Sequence, residues 1–155
     1  MIERIKITEN FYLDEFFDKK TYMKYAKEGT LWKLLLKLDM SLIEGLQVLR
    51  TMLGVSFTIN NWYAIDYLGI KGTRRQWSGF RPAGTPYWSE NSMHSLCKAV
   101  DFVCDKDAEE VRKFIESNWK VLRGYFTRTE KGTTWVHLDR AFVLDNSKLT
   151  YVNPS

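Results

Sequence analysis

Leu42, Leu46, Leu49 and Leu53 recur at the three- and four-residue steps that line one face of a helix. The pattern predicts a helix over residues 41–52, capped by Ser41 and stopped by Gly54. Phe11, Leu13, Phe16 and Phe17 give an apolar face to a shorter helix that Asn10 would cap, with Asp14 and Glu15 in its first turns. Another helical stretch over 20–27 ends at Gly29, and Val111, Phe114, Ile115 and Trp119 place a helix over 108–119. Residues 55–60, 98–104, 121–127 and 134–139 read as strands, and 149–152 as an edge strand. The 121–127 and 134–139 strands would form a hairpin turning at Glu130, Lys131 and Gly132. Between 60 and 93 the chain is rich in Gly, Pro, Asn, Ser and Trp, which predicts a long structured loop with a functional role. The expected class is α+β, with N-terminal helices packed on a small antiparallel sheet.

A length of 155 residues fits one domain, 1–155, able to bury its core without staples. Cys97 and Cys104 are too few for a disulfide framework and read as free, buried thiols. The net charge of +4 is a mild basic excess that selects no polyanion by itself. Its densest cluster, Lys71, Arg74 and Arg75, is no nucleic-acid-binding arm, so no nucleic-acid partner is expected. No stretch has the length of a membrane span, and the opening residues are polar rather than signal-like. The expectation is synthesis in a cytoplasm, without membrane insertion. Aromatic residues reach 15%, enough to fill a core and leave Trp62, Trp77, Tyr87 and Trp88 to line a groove or pack down a loop.

The two histidines of the chain, His94 and His137, both have carboxylates nearby: Asp101 follows the first and Asp139 the second. In 98–104 the alternation puts Ala99, Asp101 and Val103 on one face. In 134–139 it sends Val136 and Leu138 to the core and His137 and Asp139 the other way, with Trp135. If the two strands are neighbours, Asp101 and His137 meet on one face and His94 reaches in from the preceding loop. Two imidazoles and a carboxylate make a three-ligand metal site with a position left open, the catalytic rather than the structural zinc pattern.

Ser92, His94, Cys97, Ala99 and Asp101 fall at the spacing of S-x-H-x-x-G-x-A-x-D. This resembles the signature of the D-alanyl-D-alanine carboxypeptidase and L-alanyl-D-glutamate endopeptidase family of zinc peptidases, whose fold is Hedgehog-like. Trp135, His137 and Asp139 resemble that family's closing W-x-H-x-D, and Ser78, Gly79, Phe80 and Arg81 its S-G-[YF]-R element. The opening around Asn10–Phe16, the helix ending at Arg50 and the segment from Thr58 to Trp62 are also similar, so the resemblance spans about residues 8–140. Two positions depart from it: Cys97 stands for the usual Gly, and Thr134 stands where many members carry an acidic residue three before the last histidine.

The resemblance implies zinc held by His94, Asp101 and His137, and hydrolysis of stem-peptide bonds in bacterial peptidoglycan. Glu130 and Asp139 compete for the role of catalytic base; Asp139 is alternatively an acceptor that orients a ligand imidazole. Arg81 would hold a substrate carboxylate or the developing oxyanion. Ser92 and Trp135 would contact substrate. With no signal segment, a phage endolysin or a virion-carried lysin is the implied setting, with other virion proteins as partners. The rival expectation is a structural virion protein that keeps the fold and the metal but little hydrolysis.

Overall fold

The first apolar cluster folds as a single 3-10 turn, Leu13–Phe16, which buries Phe11, Leu13, Phe16 and Phe17 together. Asn10 does not cap it; its side-chain carbonyl accepts from Gln47 Nε2 at 2.8 Å and ties the segment to a distant helix. The computed structural model describes residues 2–154. Helix α1 (Lys19–Lys27) starts at Asp18, whose carboxylate accepts from the Thr21 amide. A short turn of helix, α2 (Trp32–Leu35), leads to α3 (Met40–Leu53). Asp39 rather than Ser41 caps α3, and Gly54 closes it in the left-handed conformation at φ 66°.

Residues 55–60 make only one isolated bridge, Thr58 to Val103, instead of the expected strand. The segment buries Phe57 and Ile59 and then turns into α4 (Trp62–Leu68), a helix the sequence pattern did not reveal inside the Gly- and Trp-rich stretch. Trp62 is fully buried, and its indole N–H points to the carbonyls of Asp14 and Phe17. It is therefore a core residue and not part of a groove.

The four strands are β1 (Ala99–Phe102), β2 (Arg128–Glu130), β3 (Val136–Asp139) and β4 (Thr150–Val152), in the order β1-β3-β2-β4. Between β1 and β2 lie α5 (Ala108–Ser117) and the turn α6 (Trp119–Leu122). The expected strand over 121–127 is replaced by helical turn and loop. Leu122 and Phe126, four apart, are buried while Val121 is exposed, a helical rather than an alternating spacing. The sheet is mixed, not antiparallel throughout, because β4 runs parallel to β2. Both edges of β3 are taken by β1 and β2, and the returning chain pairs with the outer edge of β2. One reversal after β3 then makes it run in the direction of β2.

Arg112 of α5 is 1% exposed and fixes the β2–β3 turn. Its guanidinium donates to the carbonyls of Glu130, Thr133 and Trp135 at 2.8–3.0 Å. A buried cation that satisfies three loop carbonyls holds a segment that has no ladder of its own. The Arg112→Met substitution is expected to cost about 3 kcal/mol, since those carbonyls lose charged donors without gaining water. Urea unfolding of the two proteins measures the difference.

Candidate metal centre

Asp101 and His137 are directly opposed partners in the antiparallel β1–β3 ladder. Their side chains meet on one face, with His137 Nδ1 2.8 Å from Asp101 Oδ1. His94 comes from the loop before β1 and brings Nε2 to 3.3 Å from the same oxygen. The donor atoms of the three residues all lie within 4.8 Å of one another, and all three residues are buried. A metal bound at about 2.0–2.2 Å from each needs donors spaced on this scale. The sheet therefore assembles a group of three that can hold a metal ion.

Hydrogen bonds on the far side of each imidazole set which nitrogen is free. His94 Nδ1 lies 2.8 Å from the Gly79 carbonyl, which can only accept, so Nδ1 carries the proton and Nε2 offers its lone pair. His137 Nε2 lies 3.1 Å from Asp139 Oδ2 and donates to it, which turns Nδ1 toward the centre. Asp139 is itself held by Arg128, whose Nε and Nη2 reach it at 2.8–3.1 Å, and by the Ala141 amide. Both Asp139 oxygens thus accept hydrogen bonds within the fold, and one of them orients the His137 imidazole.

The charges of the cluster are mutually stabilising. Burial pushes the Asp101 carboxyl up, but the two imidazoles beside it, His137 and His94, outweigh burial and hold the group well below the usual carboxylate range. Burial opposes charge on His137, yet Asp101 and Asp139 carry its pKa up to about 9. The Asp139 carboxyl is likewise held low: burial raises it, and His137 and Arg128 overcome that. An anionic Asp101 between two imidazoles is a donor set suited to a divalent cation.

Arg81 donates from Nη2 to Asp101 Oδ2 at 2.8 Å and from Nε to the Trp77 carbonyl at 2.7 Å. It holds the Asp101 carboxylate and at the same time lines the opening beside it. Arg75, not singled out by the sequence pattern, is half-buried beside the same opening, and its Nε donates to the Ile59 carbonyl. It lines a cavity of about 470 Å³ with Arg81, Trp77, Asp101, Glu130 and Trp135. The expected contributor Trp135 is thus at the opening, and its indole N–H has no partner within the fold. A smaller cavity of about 230 Å³ reaches the same centre from the side of His94, His137, Ser92 and Asp139. Ser92 accepts from the His94 amide at 3.2 Å and so steadies the loop that carries the ligand.

Glu130, the last residue of β2, lines both cavities and is 7% exposed. It is the carboxylate at the junction where the two spaces meet. Thr134 is exposed and takes no part. Cys97 is outside the metal-binding group, and burial pushes its thiol pKa up to about 12, so it stays neutral. Its backbone is left-handed, φ 55°, a conformation that glycine adopts most readily. Cys104 is also free, though only partly buried.

No family model, curated protein or solved structure matches the chain. Among the described residues no helix is long and apolar enough to cross a membrane. The class defined by fold and site is an α+β protein with a buried His-Asp-His group on a four-stranded mixed sheet.

Two measurements check the centre. Elemental analysis after loading and desalting is expected to give about one divalent ion per chain, and none in His94→Ala or His137→Ala. Loaded protein should gain about 2.7 kcal/mol of stability at a hundredfold excess of free metal over its Kd, a gain those variants lose. Gly79 packs where a Cβ would strike the Phe16 carbonyl backbone. Gly79→Ala should displace the carbonyl that orients His94, costing about 1–3 kcal/mol of stability. Metal affinity should fall with it, and competition against a chromophoric chelator reads that loss.

Proposed function

We propose that the chain is a zinc-dependent peptidase acting on the stem peptides of bacterial peptidoglycan, in the D-alanyl-D-alanine carboxypeptidase or L-alanyl-D-glutamate endopeptidase manner. The observation that carries this reading is the convergence of His94 Nε2, Asp101 Oδ1 and His137 Nδ1 beside two cavities, with Glu130 at their junction. Three protein donors with open space on one side suit catalysis better than a structural metal, which takes four. The substrate class and a Hedgehog-like fold rest on the resemblance of the Ser92–Asp101, Trp135–Asp139 and Ser78–Arg81 motifs. A phage lysin, released to the wall or carried in a virion, is the setting that the same resemblance supports.

Zinc in this position supplies Lewis acidity, which polarises a carbonyl and lets water attack at neutral pH. Glu130 takes the proton from the attacking water and returns it to the leaving amine. Arg81 keeps Asp101 in place through its Nη2 bond. Arg75 lines the larger cavity, forms no ion pair among the described residues and suits a substrate carboxylate. Asp139 and the Gly79 carbonyl hold the two imidazoles so that no ligand reorganises during turnover. Trp77, Tyr87 and Trp135 give the larger cavity apolar walls.

Glu130→Gln keeps the shape and removes the base, so kcat is expected to fall about 10²–10⁴-fold. Zinc content should not change, since Glu130 is not a ligand. New amino groups released from purified peptidoglycan provide the assay. If zinc-loaded wild-type protein releases none, the peptidase reading fails, and the retained-fold structural protein takes its place. Asp139→Asn should instead weaken zinc binding by about 10–100-fold, as loss of a carboxylate behind a histidine ligand does.

A further inference from the structure

A separate cavity of about 540 Å³ lies between α1 and the segment that follows Gly79. None of the metal-binding residues lines it. Its walls carry three cations, Lys20, Lys24 and Lys37, and two aromatic rings, Tyr25 and Phe80. Among the described residues none of these lysines forms an ion pair, although Lys19 and Arg74 nearby are both paired with Asp66. Lys37 Nζ sits 5.8 Å over the Phe80 ring and Lys24 Nζ 5.9 Å over that of Tyr25. Three like charges around one hollow repel each other, and Lys20 also sits in the first turn of α1, where the helix dipole disfavours a cation. An anion in the hollow relieves both.

The single acid of the wall is Asp18, 2% exposed. Its Oδ1 caps α1 through the Thr21 amide, and its Oδ2 has no hydrogen-bond partner among the described residues. An unpaired buried carboxylate oxygen is a standing demand for a donor, such as a hydroxyl group. Cations, a carboxylate oxygen in want of a donor and two half-buried aromatic rings together describe one ligand chemistry. We propose that this cavity is a second binding site, for a sugar ring that carries a carboxylate or a phosphate.

The lysines take the anionic group, Phe80 and Tyr25 take the apolar face of the ring, and Asp18 accepts from a hydroxyl. The volume falls within the roughly 300–1,000 Å³ of small-ligand sites. Phe80 also joins the site to the metal centre along the backbone. Its neighbour Gly79 holds His94, and its neighbour Arg81 holds Asp101. The proposal does not depend on the peptidase reading, since the cavity lacks metal ligands and binding is testable without metal.

Titration of the whole, zinc-stripped chain, followed by amide chemical shifts and calorimetry, tests it. The probes are N-acetylmuramic acid, N-acetylglucosamine 6-phosphate, neutral N-acetylglucosamine and inorganic phosphate. At least one acidic sugar is expected to bind with a Kd on the order of 1 mM. It should bind about tenfold or more tighter than the neutral sugar and inorganic phosphate, since only it offers both ring and charge. Shifts should concentrate in residues 18–25 and 80–85. The preferred acid distinguishes a wall-sugar carboxylate from a sugar phosphate. Lys24→Ala with Lys37→Ala should weaken binding at least about fivefold while thermal stability and zinc content stay unchanged. No saturation by either acid, equal binding of inorganic phosphate, or full affinity in the double lysine variant would each overturn the proposal. Peptidase activity with no sugar binding rejects this site alone, and sugar binding without peptidase activity rejects only the catalytic reading.

Discussion

The β1–β3 ladder brings Asp101 directly opposite His137, and the rest of the site depends on that register. A slip of β1 by one residue would turn Asp101 to the opposite face and leave an apolar neighbour, Val100 or Phe102, opposite His137. The hydrophobic pattern prevents the slip, because Val100, Phe102, Val136 and Leu138 are all buried on the core side. The same alternation that fills the core thus delivers the polar groups to one another. Burial then makes their mutual hydrogen bonds strong enough to keep Asp101 ionised in a place that otherwise disfavours charge.

Around this pair the chain commits an unusual share of polar groups to holding rather than reacting. Arg81 holds Asp101, Asp139 holds His137, and Arg128 holds Asp139. Gly79 holds His94, while Arg112 fixes the turn that delivers β3. Each of these supports has its own partner satisfied, so the ligand set is in place before any ion arrives. Glu130 is different. Among the described residues its carboxylate has no hydrogen bond or ion pair, and it borders both cavities.

The cationic surface has two parts with different characters. Arg75 and Arg81 lie at the opening of the metal centre, where Asp101 balances part of their charge. The lysines of α1 and Lys37 gather around a separate hollow with one internal acid that is already a helix cap.

What could be read from the sequence was whatever depends on local period. Leucine spacing located α3, and alternation located β1 and β3 and the faces of Asp101 and His137. Motif spacing selected the three ligands that the sheet then brought together. Tertiary structure alone decided what depends on distant partners. Asp39 captured the α3 cap that Ser41 was equally able to make by type, and a single long-range bridge replaced a strand at 55–60. Trp62 became core because the carbonyls of Asp14 and Phe17 were there to receive it. Arg112 and Arg75 gained their positions from carbonyls 16–23 residues away, which no local period encodes. The place of β4 beside β2 was set by the packed sheet, and its direction by one reversal after β3. Side-chain period is fixed by backbone geometry within a few residues, whereas a hydrogen-bond partner or a free edge exists only once the remaining chain has packed.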